Sequence, residues 1–153
     1  MKKIGEYTAR GTISETKTIA GTPQKIPLND GLFTTAYRVV EFKVWGSDYG
    51  GASNSDCVAK LSKNEFGSTA AETFLRADDD NQIAWAGAGG AVAQFDQQAS
   101  IIDLDNLIVE DLFVYAHTTG TQADPINYLI KMEKYEITDW QGALTMARDR
   151  QQE

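Results

Sequence analysis

Polar and apolar residues alternate in short runs along this chain, and turn-forming residues interrupt them every ten residues or so. That rhythm predicts an antiparallel β-sandwich, in which successive side chains of a strand point to opposite faces. The clearest case is 34–45, where Val40, Phe42 and Val44 share one face while Glu41 and Lys43 take the other. Strands are also expected over 6–14, over 17–28 with a break at Gly21-Thr22-Pro23, and over 56–62 with Cys57, Ala59 and Leu61 inward. Between the second and third strands, Asn29-Asp30-Gly31 reads as a turn whose Asp-Gly pair favours positive φ.

Residues 64–80 are the least periodic and read as a long connection, with one helical turn around 70–75. A strand over 82–86 carries Ile83 and Trp85 on one face, before the Gly87–Ala91 run breaks it. Ile101 and Ile102 precede the turn Asp103-Leu104-Asp105-Asn106. The run 107–116 is apolar on both faces except at Glu110 and Asp111, as in a central strand covered on both sides for part of its length. The last strand, 126–137, alternates Tyr128, Ile130 and Met132 against Lys131 and Glu133. Its apolar parity switches at Tyr135 and Ile137, which predicts a bulge near Glu133 or Lys134.

The end of the chain changes period. Thr138-x-x-Gln141 is a capping box, and Trp140, Ala143, Leu144 and Ala147 recur at helical spacing. The expected organisation is therefore an all-β antiparallel sandwich of about eight strands over 1–137, followed by a short C-terminal α-helix over 138–153. A helix this short is marginal alone, so its apolar stripe must dock on the sandwich or on a partner. Trp140, Leu144 and Ala147 are the expected assembly contacts.

Composition narrows the function. The 153 residues carry 14 Lys+Arg against 22 Asp+Glu, a formal charge of −8, without the basic clusters that phosphate neutralisation requires. Direct nucleic-acid binding is not expected. One cysteine, Cys57, and one histidine, His117, exclude an internal disulfide and a Cys/His zinc site. No apolar run approaches the roughly 20 residues that cross a bilayer, and the N-terminus lacks the apolar run of a signal peptide, so membrane insertion is not expected.

Candidate chemistry is sparse. Asp78 and Asp80, with Asn81, form one acidic loop, and Asp103 and Asp105 form another; hard oxygen ligands of this kind suit calcium. The first departs from an EF-hand loop, because Ile83 stands where the turn glycine belongs and Gly89 where the bidentate carboxylate belongs, so a solvated loop is the better reading, and the second is a candidate of the same kind. Neither a metal nor another cofactor is expected. Glu110 and Asp111 could include a carboxylate of raised pKa, but a charged residue on the solvent face or paired with a cross-strand lysine is the better reading. His117 lacks a nucleophile motif nearby, and Cys57 sits on an inward parity. Tyr49 and Phe66, in turn regions, are candidates for stacking on a glycan or for capping the core. No catalytic residues are expected.

Two segments, 105–116 (DNLIVEDLFVYA) and 126–137 (INYLIKMEKYEI), together with the helical tail and the strand 37–45, resemble the C-terminal half of small structural proteins from bacterial viruses. The resemblance implies a jelly-roll-like sandwich that works by assembly: a capsid, decoration or other virion subunit with no catalytic residues. Its partners would be copies of itself and other virion proteins, and its location the virion after synthesis in the host cytoplasm. Only Lys2, Lys3 and Arg10 are basic in the first sixteen residues, so the basic arm of genome-lining coat proteins is missing, which favours an outer or intersubunit position. Two other readings are a carbohydrate-binding or host-attachment sandwich module using loop aromatics, and a small polysaccharide hydrolase, which needs two carboxylates converging in a groove.

Overall fold

The computed structural model describes residues 2–14, 23–28, 31, 34–46, 56–65, 75, 77–78, 80–89, 98–118, 125–137 and 144. Eight strands follow one another: β1 (Lys2–Ile13), β2 (Gln24–Ile26), β3 (Thr35–Gly46), β4 (Cys57–Ser62), β5 (Gln82–Ala88), β6 (Gln98–Ile102), β7 (Leu112–Thr118) and β8 (Ile126–Glu136). They form two antiparallel sheets, ordered β1-β8-β3 and β2-β7-β4-β5-β6. The pairing is nested, since β1 joins β8, β2 joins β7 and β4 joins β5, while β3 packs across the core against β5 and β6 of the other sheet.

One core fills the space between the sheets. Ile13, Val39, Phe42, Ile130 and Met132 from the three-stranded sheet meet Ala59, Leu61, Leu112 and Val114 from the five-stranded one. Ala84, Ala86 and Ala88 turn inward from β5, and such small side chains let β3 pass close to β5 and β6. Truncating fully buried Phe42 to alanine would cost about 3–5 kcal/mol, the usual range for a core aromatic.

Three bulges correct the alternation read from sequence. In β3 the register jumps from Val39 opposite Met132 to Glu41 opposite Lys131, leaving Val40 as the extra residue. Val39, not Val40, therefore joins Phe42 and Val44 in the core. In β5, Gln82 faces Ser62 and Ala84 faces Leu61, so Ile83 is extra. Ile83 enters the core with Ala84, and Trp85 falls on the opposite, outer face rather than beside Ile83. The bulge expected in the last strand near Glu133 or Lys134 is not there; the third bulge lies in β1 at Ile4, where Lys3 faces Tyr135 and Gly5 faces Lys134.

The switch of apolar parity at the end of β8 has a separate cause. Ile137 is buried in a small second cluster with Ala36, Val109 and Leu107. Residues 107–111 do not continue β7, which begins at Leu112. Instead Tyr37 and Ile108 exchange two backbone hydrogen bonds of 2.8 Å, tying this segment to β3. Gly31 adopts φ +81°, the positive value the Asp-Gly turn favours. The helix expected over 138–153 lies outside the described residues, including Trp140 and Ala147; Leu144, which is described, is 56% exposed. The helical turn expected around 70–75 also lies outside them, apart from exposed Leu75.

Candidate functional site

The outer face of the three-stranded sheet carries the polar residues left over when the odd positions of β1 and the even positions of β8 turn inward. Across β3-β8-β1 the rows run Arg38–Glu133–Glu6 and Glu41–Lys131–Thr8. Lys3 Nζ lies 2.7 Å from Glu133 and 3.4 Å from Glu6. Hydrogen bonding to Glu133 raises the Lys3 pKa, and Lys3, followed by the Tyr135 hydroxyl, lowers that of Glu133. Arg38 stacks over the Tyr135 ring at 5.2 Å, and Tyr135 Oη donates to Glu133 Oε1 at 3.0 Å. This is a charged face of alternating sign. At its margin β1 is paired, among the described residues, on one side only, by β8, and exposes Ile4 (48%) and Tyr7 (44%).

The outer face of the five-stranded sheet is different. One row across it reads Tyr115–Lys60–Trp85–Ile101, and the next His117–Val58–Gly87–Ala99. Lys60 is fully buried and its Nζ lies 5.3 Å from the centre of the Tyr115 ring, a cation–π contact. Trp85 donates its indole N–H to Gln82 Oε1 at 2.8 Å. Toward β6 the face opens into an apolar groove of about 200 Å³ between Val58, Leu75, Trp85 and Ile101, the last 70% exposed. Burial, and then the positive charge of Lys60, lower the His117 pKa.

The structure places the acidic candidates at one end of this sheet. Asp80 sits just ahead of β5, and Asp103 follows β6 with its N–H bonded to the Ile83 carbonyl at 2.9 Å. Asp103 spends both oxygens locally: Oδ1 accepts from the Asp105 N–H (3.1 Å) and Oδ2 from the Asn106 amide (2.7 Å). Asn106 in turn accepts from buried Lys63 Nζ at 3.3 Å, which brings an ammonium into the cluster. Among the described residues no three His, Cys, Asp or Glu side chains converge as a metal site would require. Asp78 and Asp105 are exposed.

Asp111 joins β2 to the start of β7. Its Oδ1 accepts from the Leu28 N–H at 2.9 Å, and its Oδ2 lies 3.2 Å from Lys25 Nζ, the cross-strand lysine pairing weighed for this carboxylate. Cys57 is buried on the inner face, and burial pushes its thiol up to about 11, where almost no nucleophilic thiolate forms at neutral pH. Tyr49 and Phe66 lie outside the described residues.

Lys60 and the open edge of β1 are the features that the reading of motifs passed over. Lys60 sits on the outward parity of 56–62, where a lysine ordinarily means solvent, and nothing local signals its burial. The edge position of β1 depends on which strands pair. No helix among the described residues is long and apolar enough to cross a membrane. Compared with known proteins, the chain matches no family model and no curated protein.

Proposed function

We propose that this chain is a non-enzymatic structural subunit that works by self-association, a virion component of the kind its C-terminal segments resemble. The observation that carries the reading is the nested strand order. Pairing β1 with β8, β2 with β7 and β4 with β5 is what results when one long hairpin is rolled up, as in a jelly roll, while β6 pairs with β5 and only faces β3 across the core. Viral capsid subunits and lectin domains both use it, so architecture alone is an argument by analogy. The segments 105–116 and 126–137 tip the balance toward the particle subunit. Within the fold, Asp103 and Asp111 are engaged in loop and strand closure, roles that fit a scaffold.

The test is the mass of the purified protein across a wide concentration range, by multi-angle light scattering. A defined oligomer or a larger closed species is the expected outcome, because homo-oligomers close by symmetry. A mass that stays at one chain (16.8 kDa) at every concentration overturns the self-association reading. Glycan-array binding by that monomer would then replace it with the lectin-like reading.

A further inference from the structure

Resting on that self-association reading, we infer that two copies join through the β1 edges, which no other described strand pairs, antiparallel and centred on Thr8, to make one continuous six-stranded sheet. An edge strand exposes a row of unpaired N–H and C=O groups, and proteins ordinarily protect such edges with short strands, prolines, bulges or covering segments. The other margins here are protected in those ways. β2 is three residues long between Pro23 and Pro27, β6 is five residues long, and β3 is tied to Ile108 through Tyr37. β1 has twelve residues, and its guards, Lys2, Lys3 and the Ile4 bulge, are confined to its start. From Gly5 to Ile13 it runs in unbroken register without a proline.

The sequence of that open stretch is self-complementary in one register. With Thr8 opposite the partner's Thr8, Glu6 falls opposite the partner's Arg10 and Arg10 opposite the partner's Glu6. Gly5 then meets the partner's Gly11, and Tyr7 the partner's Ala9. Glu6, Thr8 and Arg10 share the outer face, the opposite parity from core residues Ala9 and Ile13, so each opposed pair meets on one side of the joined sheet. Two reciprocal ion pairs flank the two-fold axis. Sliding by two residues to centre on Glu6 or on Arg10 instead puts like charges face to face, so charge selects the register as well as the partner. Glu6 and Arg10 are both exposed, and among the described residues Glu6 has a 3.4 Å contact with Lys3, which lies closer to Glu133.

The experiment is a charge swap read by sedimentation velocity at about 150 mM salt, where long-range repulsion between two copies of charge −8 is screened. Glu6→Arg and Arg10→Glu alone should each raise the concentration of half-association by at least about tenfold, because each places like charges together twice. The double variant Glu6→Arg/Arg10→Glu restores both pairs and should return it to within about threefold of the parent. Thr8→Cys supplies a second readout that does not depend on the charges. Mild oxidation should give a covalent dimer, whereas Thr12→Cys, opposite the partner's Ile4, should not; buried Cys57 does not compete. Association that neither reversal shifts, with no Thr8→Cys dimer, overturns the β1 interface and leaves self-association standing. A parent protein that is monomeric at every concentration overturns both.

Discussion

Lys60 and Lys131 hold equivalent positions in the two sheets. Each points outward from a strand paired on both sides, Lys60 between Tyr115 and Trp85, Lys131 between Glu41 and Thr8. Lys131 stays partly in water beside a carboxylate, while Lys60 has no exposed surface and rests its ammonium against an aromatic face. The difference shows that outward parity assigns a side chain to a face and says nothing about whether that face meets solvent. A buried ammonium loses hydration worth several kcal/mol and must recover it from its surroundings, whereas a surface lysine loses little.

Substituting the two lysines breaks the comparison most directly. Lys60→Ala should lower stability by about 3 kcal/mol, since it removes a fully buried stem with its contact on the Tyr115 ring and leaves a cavity. Lys131→Ala should change stability by less than about 0.5 kcal/mol. Urea denaturation of both variants checks the pair, and equal losses would dissolve the contrast.

The three-stranded sheet gains its strength on the inner side, and Gly11 tests that. A methyl group added there would stand 2.8 Å from Tyr128 Oη and 3.1 Å from its Cζ, so the ring must move. Gly11→Ala should cost about 1–2 kcal/mol through overpacking. The same change in a Tyr128→Phe background should cost less, because the closest atom is gone.

Titration sharpens the contrast further. The folded His117 pKa lies below its ordinary 6.5, so between those values the unfolded chain binds more protons and stability falls as pH drops below 6.5. His117→Gln should flatten that part of the stability curve. Lys60→Met should move the His117 pKa back up, a shift readable by NMR without ambiguity because the chain has one histidine.

The Lys3–Glu133 pair on the charged face should give the smallest effect. Its contribution is present above the ordinary glutamate value of 4.5 and fades as pH falls through the lowered Glu133 pKa. At the alkaline end it is present below 10.5 and fades as pH rises through the raised Lys3 pKa. Glu133→Gln should shift the urea midpoint only slightly at neutral pH, and high salt should erase the shift.

Much of the strand content was legible because alternation is a local property. Phe42, Val44, Ile130 and Met132 fell on the inner face as their spacing required, and β4 matched its expected span and inward set. The errors at Val40 and Trp85 share one cause, an extra residue that shifts parity by one and is visible only against the paired strand. The bulge expected near Glu133 or Lys134 is absent from β8, which stays regular; the extra residue is Ile4 of β1, and Ile137 is apolar because it enters the second cluster with Ala36 and Val109. Of the candidate site residues, Asp103 and Asp105 were correctly read as a turn, closed by the local bond from Asn106 to Asp103, but the approach of Lys63 to Asn106 joins residues 43 positions apart.

By itself, then, the sequence determined the class of the fold, the order of most strands and the charge, since each follows from residue type and a spacing of two along the backbone. Tertiary structure alone decided which strands share a sheet, that 107–111 joins β3 rather than β7, that Lys60 is buried, and that β1 lies at the margin of its sheet among the described strands. Those properties belong to pairs of segments far apart in the chain, and no residue carries the identity of its distant neighbour.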